Sequence, residues 1–275
     1  MGEADYQGRS RTAERSVTTT ERPPVSTPIH IKVNLDRDVA GALSRLGCTR
    51  ATATGRDIWF AEPRSAGVTG APTLLSSGIV IRLRSGAAHD LTVELRPCQR
   101  PQLVGRWVAP FTDSAVQYRI ESDWCGGRRM LSASVIGRRP SGSLRDAVAR
   151  GVDITAALDP AQRQFLVSCT PPGVAVERLR ALGPVASAQW TGVLVADVYA
   201  DVERWTVAGL DLLELSLRVT PTDGEPPADL HMRAFDAQRG LENALRALDL
   251  TFASGKTKTE QVITALAAAR SEFGE

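Results

Sequence analysis

The segment from Leu74 to Pro97 constrains the fold more than any other part of the sequence. In residues 79–84 and 91–96, apolar side chains alternate with polar or charged ones, and residues 85–88 (Ser-Gly-Ala-Ala) separate the two runs. Alternation with a period of two predicts an antiparallel pair of strands with one apolar and one polar face. Side chains on neighbouring strands contact each other, so the charges of the polar face would form one cluster. This cluster comprises Arg82, Arg84, Glu94 and Arg96. Taken alone, such charges favour a solvated face with weak ion pairs.

Length and composition exclude several classes of protein. The chain has 275 residues, enough for one large or two small domains, and its formal net charge of +2 implies no particular partner. It contains no run of about 18 apolar residues and no apolar signal-peptide core, so we expect a cytoplasmic protein without a membrane span. The four cysteines lack the CxxC spacing of zinc sites, so we expect reduced thiols.

The N-terminal segment differs in composition from the rest of the chain. Residues 1–27 are rich in Arg, Ser, Thr, Glu and Pro and contain few aliphatic side chains. Such a segment cannot bury enough surface to offset its ordering entropy, which predicts a disordered tail. Its arginines alternate with glutamates, and we expect no nucleic-acid partner. We therefore predict one folded domain over residues 28–275.

The remaining hydrophobic patterns predict about eight strands with helices between them. Further strands are predicted at residues 29–35, 58–60, 116–120, 130–136, 188–190, 193–199 and 212–219. Helices are predicted at residues 38–46, 141–158, 160–169, 176–182, 230–248 and 258–273. Strands that neighbour each other in sequence favour an antiparallel α+β fold over parallel βαβ units.

Charges recur on the polar faces of six strands, which solvent exposure alone explains poorly. If the sheet closes with these faces inward, it forms a barrel lined with charge. Carboxylates could then hold Mg²⁺ or Mn²⁺, while Arg and Lys could hold phosphate oxygens. The side chains concerned are Lys32, Arg82, Arg84, Glu94, Arg96, Glu121, Asp123, Asp197, Glu214 and Arg218.

Several short motifs resemble, in order and spacing, those of the CYTH superfamily of triphosphate tunnel proteins, and more narrowly an actinobacterial-type group within it. The motifs lie at residues 57–63, 78–84, 93–97, 120–123, 131–134, 162–165, 182–185, 213–216 and 257–259. The resemblance covers most of residues 29–270. It implies an antiparallel eight-stranded tunnel-like barrel with helices packed outside, and a metal-dependent phosphoanhydride hydrolase activity.

The chain departs from the family pattern at positions that matter for chemistry. The first strand of the superfamily has an alternating Glu-x-Glu-x-Lys signature, or Glu-x-Lys-x-Lys in the narrower group. In this chain no carboxylate remains there, an expected Asp and Lys are replaced, and the strand after Gly-Pro lacks its basic residues. These positions hold His30, Lys32, Asn34, Ala61, Glu94, Ala188 and Trp190. Because each lost charge-assisted phosphate contact weakens binding by about 1.5–3 kcal/mol, we do not expect efficient tripolyphosphate hydrolysis.

The charges that persist define a candidate site for an anionic, phosphorylated small molecule such as a nucleotide or an organic diphosphate or triphosphate. The candidate phosphate-binding residues are Lys32, Arg82, Arg84, Arg96 and Lys258. The candidate ligands for Mg²⁺ or Mn²⁺ are Glu121, Asp197 and Glu214. No catalytic residue can be assigned. Because Lys258 begins the last helix, we expect that end to fold over the tunnel mouth and bring this side chain to a phosphate.

Three hypotheses about function remain open at this point. The first is a divergent tunnel phosphohydrolase that uses a divalent metal. The second is a catalytically degenerate module that binds an anion, and the third is a tunnel reused for other chemistry on a phosphorylated metabolite. Converging carboxylates would favour the enzyme. Arginines paired with acids across the lumen, with no metal site left, would favour the module.

Overall fold

The computed structural model describes residues 26–64, 72–253 and 255–271, which form ten strands and six α-helices. The strands are β1 (Ile29–Leu35), β2 (Thr54–Pro63), β3 (Ile79–Gly86), β4 (Asp90–Cys98), β5 (Phe111–Thr112), β6 (Val116–Cys125), β7 (Arg128–Arg138), β8 (Leu179–Val195), β9 (Val198–Val207) and β10 (Leu210–Val219). The helices are α1 (Val39–Arg45), α2 (Thr73–Ser76), α3 (Ser143–Ala149), α4 (Pro160–Cys169), α5 (Pro227–Ala247) and α6 (Lys258–Ser271).

The sheet closes on itself into a barrel. Its strand order is β1-β10-β9-β8-β2-β3-β4-β7-β6-β5, and β1 also pairs with β6. This last pairing is parallel, with Ile29 opposite Ser122 and Lys32 opposite Cys125. Nine strands therefore form a closed mixed barrel, and β5 extends β6 outside it. The predicted α+β tunnel is confirmed, but the predicted antiparallel barrel of eight strands is wrong. The pairing of β1 with β6 is parallel, and β9 was not recognised in the sequence as a separate strand.

The hydrophobic core lies between the outside of the barrel and the helices. On β3, Ile79, Ile81 and Leu83 are buried against a cluster that includes Leu144 of α3 and Phe165 of α4. On the far side, α1 and α5 cover β1 and β10 with a second buried cluster. The outward faces of the strands thus carry the core, and their inward faces are free to carry charge.

Helix α4 is fixed to the barrel wall by one buried glutamine. Asp159 and Gln162 form a capping box at its start, with Pro160 at the first helical position. The amide Nε2 of Gln162 also donates to the carbonyl oxygens of Leu91, at 2.7 Å, and Val135, at 3.1 Å. These bonds satisfy a fully buried side chain and hold α4 over β4 and β7.

Helix α6 closes one end of the barrel. Its Val262 and Ile263 are buried against Phe60, Val80 and Leu212, among others. Val80 shares an inward face with Arg82, and Leu212 shares one with Glu214, because side chains two apart on a strand lie on the same side. The last described helix therefore fills the apolar end of the interior.

Three local predictions are corrected by the structure. Residues 176–182 were predicted to be helical, but β8 begins at Leu179 and pairs with β2. The predicted strand 193–199 contains the turn between β8 and β9, where Ala196 has φ 51°. The predicted helix 141–158 breaks after α3, because Gly151 adopts φ 63° and a short 3-10 turn, Ile154–Ala157, follows.

Most of the predicted tail, residues 1–25, lies outside the described residues. The boundaries of one domain over residues 28–275 stay a prediction. The four cysteines, Cys48, Cys98, Cys125 and Cys169, are free thiols. Within the described ranges, no helix has both the length and the apolar character needed to cross a membrane.

Candidate functional site

The barrel encloses a cavity of about 300 Å³ whose lining is dominated by charge. Its basic side chains are Lys32, Arg56, Arg82, Arg84, Arg96, Arg119, Arg218 and Lys258. Its acidic side chains are Glu94, Glu121, Asp123, Asp201, Glu203 and Glu214. Eight bases and six acids leave an excess of two positive charges on the lining. Strands on every side of the barrel contribute to this set, as the alternating inward faces require.

Asp123 is the centre of one ionic cluster. Its carboxylate is 2% exposed and accepts a hydrogen bond from Nζ of Lys32. Its Oδ2 lies 3.1 Å from Nε of Arg96, and its Oδ1 lies 3.8 Å from Nδ1 of His30. Burial raises the pKa of this carboxyl, but Lys32 and Arg96 outweigh burial and lower it to about 2. Asp123 is therefore ionised and forms ion pairs with Lys32 and Arg96.

His30 occupies the first-strand position where the family signature has a carboxylate. The parallel pairing of β1 with β6 places it opposite Asp123. Burial, followed by the nearby charge of Lys32, lowers the pKa of His30 to about 4. At neutral pH this imidazole is uncharged and adds no charge to the lining.

Lys258 is the centre of a second ionic cluster at the closed end. Its Nζ lies 2.7 Å from Oε2 of Glu203, 3.5 Å from Oε1 of Glu214 and 4.1 Å from the centre of the Trp205 ring. Arg56 adds a contact of 3.4 Å to Glu203. Burial opposes ionisation of Glu203, but Lys258 and then Arg56 hold its pKa well below the usual range. The start of α6 thus lies at the tunnel, while the predicted contact of Lys258 with a phosphate stays a prediction.

Two further cations of the lining are paired with acids. Arg84 contacts Asp90 through Nε and Nη2, each at 3.0 Å. Arg218 forms an ion pair with Glu121. Among the predicted phosphate ligands, Lys32, Arg84, Arg96 and Lys258 each contact a carboxylate, although Lys32 and Arg96 share the single charge of Asp123. This is the arrangement of paired arginines and acids that favours an anion-binding module.

Arg82 is the exception. Within the described part of the chain, its guanidinium donates no hydrogen bond and has no carboxylate within 4.0 Å, and its Nε is buried without a partner. Burial, and then repulsion from Arg84, lower the pKa of this group. A guanidinium has five N–H donors, so its environment is complementary to an anionic ligand.

Glu94 and Arg119 also lack an oppositely charged partner among the described residues. The carboxylate of Glu94 forms neither a hydrogen bond nor an ion pair with the described residues, although Arg82 and Arg96 lie close enough to interact with it electrostatically. Arg119 donates to Oε1 of Gln117 at 2.6 Å and has no acidic partner among those residues. These side chains leave part of the lining open to a ligand.

The three predicted metal ligands are not brought together. Asp197 lies in the exposed turn between β8 and β9, outside the cavity lining, which corrects its assignment. Glu121 is paired with Arg218, and Glu214 with Lys258. In the described ranges, no three His, Cys, Asp or Glu side chains are placed to hold a metal ion. The three predicted residues therefore do not fit one shared Mg²⁺ or Mn²⁺ site, because Asp197 lies outside the cavity lining and Glu121 and Glu214 are paired with basic side chains.

Sequence reasoning missed four charged residues of the lining, namely Arg56, Arg119, Asp201 and Glu203. Glu203 belongs to β9, which was not recognised as a separate strand. Its alternation with Asp201 and Trp205 is a period-two signal that could have identified this inward face. Arg56 precedes the predicted strand 58–60 by two residues, so extending that strand by one more pair would have included it.

Comparison with solved structures identifies the class of fold. A candidate adenylate cyclase from Bacillus halodurans aligns with a TM-score of 0.50 and 10% sequence identity, covering 85% of this chain and 96% of that chain. HpAC1, a candidate adenylyl cyclase from Hippeastrum with a dominant triphosphatase activity, aligns with a TM-score of 0.50 and 13% identity, covering 85% of this chain and 93% of that chain. No family model and no curated protein matches the sequence. The chain therefore shares its overall fold, a closed tunnel-like barrel with helices outside, with these two proteins.

Proposed function

We propose that this protein binds a phosphorylated small molecule in its tunnel by direct ionic contact, without a bound divalent metal. The similarity of fold to tunnel proteins supports a phosphorylated ligand. The pairing of Glu121, Asp123, Glu203 and Glu214 with basic side chains supports binding over metal-dependent hydrolysis. The finer relationship to an actinobacterial-type group rests on the sequence motifs alone.

The observation that carries this proposal is the unpaired guanidinium of Arg82. A buried donor left without an acceptor costs about 1–3 kcal/mol. Arg56 and Arg96 also have a buried Nε without a hydrogen bond, but each has a carboxylate within 4.0 Å, whereas Arg82 has none among the described residues. Arg82 lies on the inward face of β3 and lines the cavity. A phosphate oxygen would accept from this guanidinium directly, because the planar fork of Arg matches phosphate geometry. In this proposal the phosphate replaces the missing acidic partner.

The test is to measure binding of inorganic phosphate by isothermal titration calorimetry in buffer containing EDTA. We compare the wild-type protein with Arg82→Met and with the control Arg37→Met, which removes an exposed Arg outside the lining. Loss of a charge-assisted contact of about 1.5–3 kcal/mol should weaken binding about ten- to a hundredfold in Arg82→Met. The control should bind as the wild type does. Equal affinity of Arg82→Met and wild type would contradict the proposal.

A further inference from the structure

An acid and a base that do not pair lie side by side on the tunnel wall. Glu94 on β4 is opposite Val80 on β3, and Arg82 is opposite Thr92, so the two charged residues are diagonal neighbours. Diagonal neighbours on paired strands are within reach of long side chains. Nevertheless, Glu94 and Arg82 form no ion pair, and neither hydrogen-bonds to another described residue through its side chain. The wall therefore presents a separate donor and a separate acceptor to the cavity.

The same wall continues with a second unpaired cation. Glu94 is opposite Ser134 on β7, and Ser134 is opposite Arg119 on β6. Glu94 thus lies between Arg82 on one side and Arg119 on the other. An acidic side chain between two basic ones limits how much negative charge a ligand can bring to this wall.

The excess charge of the lining sets the scale of the ligand. Eight basic and six acidic side chains line the cavity, and Asp90 pairs with Arg84 from beside it, so one positive charge is in excess, and His30 is neutral. A phosphate monoester carries about −1.5 to −2 charges at neutral pH, which is closer to this excess than the charge of a polyphosphate. Each further phosphate in a polyphosphate adds negative charge that the lining does not balance and that Glu94 repels. In the proposed function no divalent metal is bound, so no metal cation offsets this additional negative charge.

We propose that the tunnel selects an organic phosphate monoester that also carries an amino or hydroxyl group. Its phosphate contacts Arg82, and its amino or hydroxyl group donates to Glu94. Glu94 is then a specificity-determining residue, because it accepts this donor and rejects polyphosphates. This inference rests on the proposed function, since it concerns the same tunnel and the same arginine.

The test uses three phosphate compounds and three forms of the protein, with calorimetry in EDTA. O-phosphoethanolamine carries an ammonium group, ethyl phosphate is close to it in size but has no such donor, and tripolyphosphate carries more charge. The proteins are the wild type, Glu94→Gln and the control Glu177→Gln, which makes the same charge change at an exposed position. Circular dichroism and thermal unfolding establish that each variant is folded.

Wild type and Glu177→Gln should bind O-phosphoethanolamine at least about tenfold more tightly than ethyl phosphate, the size of one charge-assisted contact. In Glu94→Gln this preference should fall to less than about threefold, and tripolyphosphate should bind about tenfold more tightly than to wild type. Comparing O-phosphoethanolamine with ethyl phosphate on the wild-type protein tests the contribution of the ammonium donor without any substitution.

Two results would overturn the inference. One is a wild-type protein that does not distinguish the two monoesters, or that prefers tripolyphosphate to both. The other is a folded Glu94→Gln protein with the same preferences as wild type. If phosphate compounds bind and binding still depends on Arg82, only the assignment of ligand class and of Glu94 fails. If no phosphate compound binds the wild type, the proposed function fails with it.

Discussion

Replacing Arg82 with Met should stabilise the protein in the absence of ligand. The substitution keeps a flexible stem of similar length and removes the guanidinium, whose Nε is buried without a partner. An unsatisfied buried donor costs about 1–3 kcal/mol, and this is the gain in unfolding free energy that we expect. Removing the charge also relieves repulsion from Arg84, while it forfeits the individually weaker attractions to Glu94, Asp90 and Glu203. A binding residue that destabilises the empty protein is a common trade-off between stability and function.

Urea denaturation in phosphate-free buffer measures this gain. Wild type, Arg82→Met and Arg37→Met should have the same m-value, so that a shift in midpoint reports stability. For a domain of this size the melting temperature should rise by about 2–4 °C for each kcal/mol. Arg37→Met should change stability little, because exposed substitutions usually stay within about 0.5 kcal/mol.

Adding phosphate should reverse the order of stability. A ligand at 100 times its dissociation constant stabilises the wild type by about 2.7 kcal/mol, whereas a variant that has lost binding gains little. The reasoning is refuted if Arg82→Met is destabilised by about 1 kcal/mol or more without ligand, a typical value for a residue with ordinary native contacts. It is also refuted if phosphate stabilises both proteins equally.

Two further predictions concern the ionic clusters of the tunnel. Because the pKa of His30 is about 4 in the folded protein and about 6.5 when unfolded, stability should fall by at most about 3 kcal/mol as pH falls from 6.5 to 4. His30→Gln should flatten this part of the curve in urea denaturation measured across that range, and an unchanged slope would contradict the assignment. Lys258→Met should destabilise by about 3–5 kcal/mol, because Glu203 and Glu214 lose a cation that is 3% exposed. The exposed control Lys256→Met should leave stability nearly unchanged. Equal destabilisation by the two substitutions would contradict a stabilising role of the Lys258 ion pairs.

The alternating strands were predictable because their pattern is local. The runs at 79–84 and 91–96 form β3 and β4, and Arg82, Glu94 and Arg96 line the cavity as the closed-barrel hypothesis required. Period-two patterning determines which side chains share a face, and closure of the sheet then brings those faces together. The superfamily motifs added the tunnel architecture to this local information.

The pairing of charges across the tunnel was not predictable, because it depends on contacts between residues distant in sequence. Asp123 meets Lys32 only through the parallel pairing of β1 and β6. Glu203 meets Lys258 only after α6 has entered the barrel end. The metal assignment failed at Asp197 for a local reason, because a two-residue turn was read as the interior of a strand.

The central claim is that phosphate binds this tunnel without a divalent metal, and titration with and without Mn²⁺ tests it most directly. Calorimetry with O-phosphoethanolamine is carried out in EDTA and repeated with Mn²⁺, and phosphate release from the same compound and from tripolyphosphate is measured in parallel. The account predicts the same affinity in both conditions, because Arg82 contacts the phosphate directly and Glu121 and Glu214 are already paired with basic side chains. It predicts no Mn²⁺-dependent phosphate release. Binding that appears only with Mn²⁺, or rapid metal-dependent turnover by the wild type, would contradict it.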